Sequence, residues 1–256
     1  MLKNLIINGC SFSDDRLHPT WASYLKNHFE FEKYENLARV AAGNFYICDS
    51  TINFLESAGL NPQETLVIVM WSGTGRKDLR ISGDWYFHLK ESYPFLTQAD
   101  SNNDSFYLFS GGLTNSWFDN PDTKQIFNWL YKLSDPQSLC LDSFTHMIKL
   151  ENYLQNHNYH YAMTSYVNYW QGESCHESGD YSIPWFLKDC DVFKNYAFDQ
   201  WVFINQQKDT LFEFANNLAQ LDHTHHPTAL AHQQFAEQIV VPQVLSKFMC
   251  NATKAA

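Results

Sequence analysis

The sequence predicts an α/β protein built around a mostly parallel sheet, and three observations carry that expectation. Short apolar runs alternate with helical patterns over the first 75 residues, the order that builds a parallel sheet with right-handed crossovers. The run Thr65 to Met70 is continuously apolar, as a strand covered on both faces is. Gly9, Gly59 and Asn61-Pro62 punctuate the alternation at the ends of its elements. At 256 residues the chain can bury a core without metal or disulfide staples, and one domain spanning residues 1–256 with insertions is favoured over several small ones.

Taken in order, Leu5 to Asn8 reads as a short buried strand ending at Gly9, and Thr20 as the N-cap of a helix through Trp21, Tyr24 and Leu25. A second strand near Tyr34 to Ala38 leads through Ala42-Gly43-Asn44 into a helix marked by Ile47, Ile52 and Phe54-Leu55 that ends by Gly59. Asn61-Pro62 turns the chain into the Thr65 to Met70 strand. From about residue 77 to 135 the pattern breaks into short aromatic pieces separated by loop residues such as Ser101 to Asp104, which reads as an insertion. A helix around Leu139 to Leu154 and a strand from His160 to Val167 follow, then a second irregular aromatic insertion over about 169–203. The last helix starts near Pro227 or Thr228 and presents Leu230, Phe235, Ile239 and Val240 on one face.

Composition excludes several function classes. A net charge of −11 cannot easily supply the basic face that phosphate binding needs, so no nucleic-acid partner is expected. The N-terminus lacks the pattern of a signal peptide, and the longest strongly apolar stretch, Leu66 to Trp71, is far below the roughly 20 residues of a membrane span. Six cysteines without a C-x-x-C pair suit reduced thiols, and a cytoplasmic location is expected. Aromatic residues make up 16% of the chain and concentrate in the two insertions, where they are expected to form a lid or substrate wall; the alternative for any one of them is core filling.

The candidate chemistry lies at the two ends. In Gly9-Cys10-Ser11-Phe12-Ser13, Ser11 follows the first strand at its C-terminal end, where open α/β sheets place their ligands, and the N–H groups of the turn can stabilise an oxyanion. Ser11 also reads as an ordinary turn or N-cap residue. Cys10 is expected to be a buried thiol pointing away from Ser11, while Asp14, Asp15 and His18 either line the mouth or are solvated loop residues. Near the other end, Asp222-His223-Thr224-His225-His226-Pro227 precedes the last helix. An acid three or four residues before a loop histidine can orient its imidazole and make it a base toward a serine. The same residues read as a polar surface loop or as a metal site through Asp222, His223, His225 and His226, although ligands so close in sequence rarely converge on one ion.

Together these segments resemble the SGNH hydrolases, the GDSL-type esterases and lipases. Gly9-Cys10-Ser11-Phe12-Ser13 is similar to the family's Gly-Asp-Ser-x-Ser block, with cysteine for aspartate; Asn36 to Asn44 is similar to the second block, and His226-Pro227-Thr228-x-x-Ala231-His232 to the end of the last. The resemblance covers about half of the chain and leaves the insertions out. It implies a three-layer α/β/α sandwich around a central, mostly parallel five-stranded sheet of flavodoxin-like type, with no cofactor and no metal. It also implies a catalytic set of Ser11, His226 and Asp222, and an oxyanion hole formed by the Ser11 and Gly43 N–H groups.

Two departures follow. The family's Gly-x-Asn-Asp block is replaced by Trp71-Ser72-Gly73-Thr74-Gly75-Arg76, so Thr74 or Gly75 stands where an asparagine would donate to the oxyanion, with Asn44 and Arg76 as substitutes. Asp222 to His225 has the family's spacing, but the His-Pro pair and His232 align better with His226 as the base. The function expected is a serine esterase acting on a small-molecule or glycan ester, such as a short acyl group on a carbohydrate. The alternatives are an acyltransferase, or a non-catalytic carbohydrate-binding protein on the same scaffold whose sugar faces would be Trp117, Trp129, Trp170, Trp185 and Trp201.

Overall fold

A computed structural model describes residues 2–16, 18–99, 105–110, 121–171 and 181–249. β1 (Asn4–Asn8) is buried along most of its length and leads through a turn to α1 (Trp21–His28). Thr20 caps α1, its hydroxyl accepting from the Ala22 N–H at 3.4 Å. β2 (Lys33–Asn36) precedes α2 (Asn44–Ala58), which stops where Gly59 enters the left-handed region at φ 59°, a conformation that costs a glycine nothing. β3 (Thr65–Trp71) is buried at every position. Successive side chains of a strand point to opposite faces, so both faces of the sheet are covered at β3.

The segment between β3 and the next long helix holds β4 (Leu79–Ile81), α3 (Gly83–Leu89), β5 (Thr97–Ala99), β6 (Phe106–Leu108) and α4 (Pro121–Leu133). β4, β6 and β5 form a separate antiparallel sheet in that order. α5 (Pro136–Asn156), capped by Asp135, returns the chain to the main sheet at β7 (His160–Ser165). Two short helices follow, α6 (Ile183–Leu187) and α7 (Asp191–Lys194). Then come α8 (Leu211–Asn217) and a C-terminal helical run of α9 (Ala229–Phe235), a π turn, α10 (Val241–Val244) and a second π turn ending at Met249.

The main sheet is parallel with strand order β2-β1-β3-β7, so the fold is α/β with a four-stranded parallel sheet and a small antiparallel one. The family resemblance implies five strands. Where a fifth would pair with β7, only an isolated parallel bridge forms between Met163 and Trp201 among the described residues. The Met163 N–H donates to Gln200 O and the Val202 N–H to Met163 O. The chain then turns away, closed by a bond from the Ile204 N–H to Asp209 O at 2.9 Å. Among the described residues, no helix is long and apolar enough to cross a membrane. Cys10, Cys48 and Cys190 are free thiols, the Cys140 thiol faces the Tyr181 and Ser182 carbonyls, and Cys175 and Cys250 lie outside the described residues.

The aromatic residues of the insertions divide into two populations. Trp170 and Trp201 are buried, with ring centroids 4.8 Å apart and edge-on to each other and to Phe198. For these two, the core-filling reading holds and the sugar face of the carbohydrate-binding alternative does not, because both rings are buried in the cluster that anchors the chain beside β7. Trp129 and Trp185, at 58% and 44% exposure, remain open to solvent beside Lys132 and Lys188, and Trp117 lies outside the described residues.

Candidate active site

The end of β1 is fixed before the turn begins. Asn8 donates to the Ile47 carbonyl and lies within hydrogen-bond distance of Ser50 and Thr51 hydroxyls on α2, while its Oδ1 accepts the Gly9 N–H at 2.8 Å. Gly9 leaves no room for a side chain: a Cβ there would lie 2.7 Å from Ser13 Oγ and 3.0 Å from the Met70 carbonyl. The Ser13 N–H closes the turn onto Cys10 O at 2.9 Å, with Ser11 at its first corner. Cys10 is fully buried and Ser11 is 8% exposed. Asp14 and Asp15 are structural rather than solvated. Asp14 binds Arg16 through both carboxylate oxygens and accepts the Val40 N–H. Asp15 accepts from Thr20, Tyr34 and Asn36.

Ser11 Oγ lies 2.9 Å from His226 Nε2 across 215 residues of sequence. The Asp222–His226 turn positions the ring. Asp222 N donates to His226 O, His225 N donates to Asp222 O, and His225 takes φ 60° at the corner. Pro227, buried, follows His226 directly and leads to the N-cap Thr228 of α9. His226, and not His225, thus faces Ser11; His223 and His225 are exposed.

Asp222 is placed differently from the acid of a directly bonded triad. Its Oδ1 accepts the Thr224 N–H at 2.7 Å, the Thr224 hydroxyl at 2.6 Å and the His226 backbone N–H at 3.0 Å. The ring nitrogen His226 Nδ1 meets Thr224 instead, at 3.1 Å from Oγ1 and 3.2 Å from the carbonyl oxygen. A carbonyl can only accept, so Nδ1 carries the proton and Nε2 turns its lone pair to Ser11. Burial holds the His226 imidazole below its ordinary range, and Arg76 and His18 push the same way against the Thr224 carbonyl and Asp222. A neutral imidazole is the form that can accept the Ser11 proton.

The two further donors expected at the oxyanion hole are engaged elsewhere. The Gly43 N–H donates to both oxygens of Asp78 at 3.0 Å, and the same carboxyl accepts the Tyr46 N–H at 2.9 Å at the start of α2. Burial pushes Asp78 up to about 7, against those N–H groups and Arg76. Thr74 is fully buried, its hydroxyl donating to the Tyr181 carbonyl at 2.9 Å and accepting the Tyr181 N–H at 2.7 Å. Asn44 is bound at both ends to the Ser72 backbone. The Ser11 N–H donates to no protein group among the described residues.

Thr224 and Asp78 are the site residues that sequence reasoning does not single out. An Asp-x-Thr-x-His pattern with one residue more than the family spacing is the signal for the first, since Asp and Thr two apart form such turns. Asp78 gives no signal, because the N–H groups that hold it, those of Gly43 and Tyr46, lie 35 and 32 residues away in sequence. Among the described residues no three His, Cys, Asp or Glu side chains group as a metal ion requires. No protein-family model and no curated protein matches the chain.

Proposed function

We propose that the protein is a cytoplasmic serine esterase of SGNH, or GDSL, type that hydrolyses a carboxylic ester through Ser11 and His226. One observation carries the reading: Ser11 Oγ and His226 Nε2 stand 2.9 Å apart at the C-terminal end of a parallel sheet, with the other ring nitrogen facing the Thr224 carbonyl and burial disfavouring the imidazolium. The motif resemblance at both ends of the chain supports it. In this reading the β-sheet core belongs to a three-layer α/β/α sandwich, with the Trp201 bridge as the remnant of its fifth strand.

His226 Nε2 takes the Ser11 proton as Oγ bonds to the ester carbonyl carbon. The tetrahedral oxyanion collapses, the bond to the alcohol oxygen breaks, and His226 returns the proton to the leaving alcohol. Water then gives a proton to His226 and attacks the acyl-serine, which releases the acid as the proton goes back to Ser11. Asp222 acts through Thr224, holding the turn and the tautomer. The substrate proposed is a short acyl ester, an O-acetyl group on a carbohydrate being preferred, with the exposed Trp129 and Trp185 as sugar faces.

Fluorophosphonate labelling with aryl acetate hydrolysis tests the reading. Label on the parent, and loss of both label and hydrolysis in Ser11→Ala, are expected; hydrolysis at the parental rate by Ser11→Ala overturns it. A second reading, a non-catalytic carbohydrate-binding protein on this scaffold, is favoured by the engagement of Gly43 and Thr74. Silence toward fluorophosphonate alongside glycan binding is its signature.

A further inference from the structure

Beyond the serine itself, both donors expected at the oxyanion hole are occupied, Gly43 by Asp78 and Thr74 by Tyr181. A single backbone N–H is a poor match for the charge of a tetrahedral intermediate, since losing one donor of such a hole typically costs about 10²–10³ in kcat. A cation is held next to that same place. Arg76 follows Gly73-Thr74-Gly75 just past the C-terminal end of β3. A side chain starting at Gly43 would meet the Arg76 Cβ at 3.0 Å. Arg76 Nη1 donates to the Ala42 carbonyl at 3.0 Å, and the guanidinium lies over the Tyr166 ring, 5.5 Å from its centre.

Tyr166 in turn packs edge-on against Phe12 at 4.9 Å, and Phe12 lies against the His226 ring at 5.0 Å. Arg76 is therefore fixed between the β2–α2 junction and the ring column that leads through Tyr166 and Phe12 to His226. It is half-buried, and its charge adds to the burial that disfavours the His226 imidazolium.

We propose that Arg76 supplies the side-chain donor of the oxyanion hole, taking with a guanidinium the part that the resemblance gives to the missing asparagine. The proposal rests on the serine esterase reading. A guanidinium has five N–H donors in a fixed fork, so bonds to protein groups and a bond to an oxyanion are compatible. Its full charge acts where negative charge develops on the carbonyl oxygen, in a half-buried site where that attraction exceeds its value in water.

The test is steady-state hydrolysis of a neutral aryl acetate by the parent, R76M, R76Q and R76K, each checked for folding by its thermal midpoint. R76M should lose about 10²–10³ in kcat with KM within about threefold of the parent. R76Q, which offers an amide N–H as asparagine would, should recover part of that loss. Unchanged kcat in folded R76M overturns the proposal, as does a rise in KM alone, which marks a substrate anchor instead. If R76M does not fold, R76Q and R76K are read by the same split between kcat and KM. A parent that takes no fluorophosphonate at Ser11 overturns the esterase reading and this proposal with it. Label at Ser11 with kcat unmoved overturns the role of Arg76 alone.

Discussion

The Asp222 carboxylate reaches His226 through the backbone: Oδ1 accepts the His226 N–H at 3.0 Å, while the ring nitrogen Nδ1 is met by Thr224. An acid bonded directly to the base fixes the tautomer by its charge, and replacing it by the amide typically costs about 10⁴-fold in kcat. Here the tautomer is fixed by a carbonyl and the acid builds the turn. Asp222→Asn keeps an acceptor for the Thr224 N–H and should lower kcat by about tenfold or less, whereas Asp222→Ala, which removes that acceptor, should cost more. Aryl acetate kinetics on the two variants check this; a 10⁴-fold loss in Asp222→Asn would show a direct ion pair.

The pH dependence follows from the groups around His226. Burial, Arg76 and His18 disfavour the imidazolium, while the Thr224 carbonyl and Asp222 favour it, and the balance lies below the ordinary value. Activity should fall on the acid side with a midpoint under about 6.5, the unperturbed histidine value. Removing the Arg76 charge should move that midpoint to higher pH. The profile of kcat/KM for the parent and R76M reads both effects.

Asp78 makes stability depend on pH in the opposite sense to a paired carboxylate. Its folded value of about 7 lies above the ordinary aspartate value of 3.8, so between those limits the folded state binds the proton more tightly than the unfolded one. The stabilisation is complete below the unfolded value and is lost as pH rises toward about 7. Asp78→Asn keeps the acceptor for the Gly43 and Tyr46 N–H groups without the buried charge. Its melting temperature relative to the parent should therefore be higher at pH 8 than at pH 4, and a difference independent of pH would refute the assignment.

The two tryptophan populations should separate in chemical denaturation. Trp170→Ala and Trp201→Ala empty a packed ring cluster and should cost about 3–5 kcal/mol each. Trp129→Ala and Trp185→Ala remove exposed rings and should stay within about 0.5 kcal/mol of the parent. Equal losses at all four positions would contradict the burial described for them.

β1 and β3 were legible because each is an apolar run set off by glycine or proline, and Thr65 to Trp71 is buried as its composition requires, whereas the polar edge strand Lys33–Asn36 carries no such run. The approach of Ser11 to His226 was legible too, since a strand end and the loop before the last helix lie on one edge of such a sheet. What was not legible depends on partners distant in sequence. Gly43 reads as a free N–H until Asp78, 35 residues on, takes it, and Thr74 reads as a free hydroxyl until Tyr181, 107 residues on, closes over it. The Asp222 carboxylate misses the ring by one extra residue of loop, and past the Met163–Trp201 bridge the chain turns at Ile204 to Asp209, a turn that no periodicity marks.

The 215-residue separation of Ser11 and His226 has a meaning for synthesis as well as for geometry. During translation the hydroxyl emerges early and the imidazole late, after the whole of the parallel sheet and both aromatic segments. In the esterase reading proposed above, Ser11 has no base until the loop before the last helix has been made, so the appearance of a reactive Ser11 would report that this helix has docked.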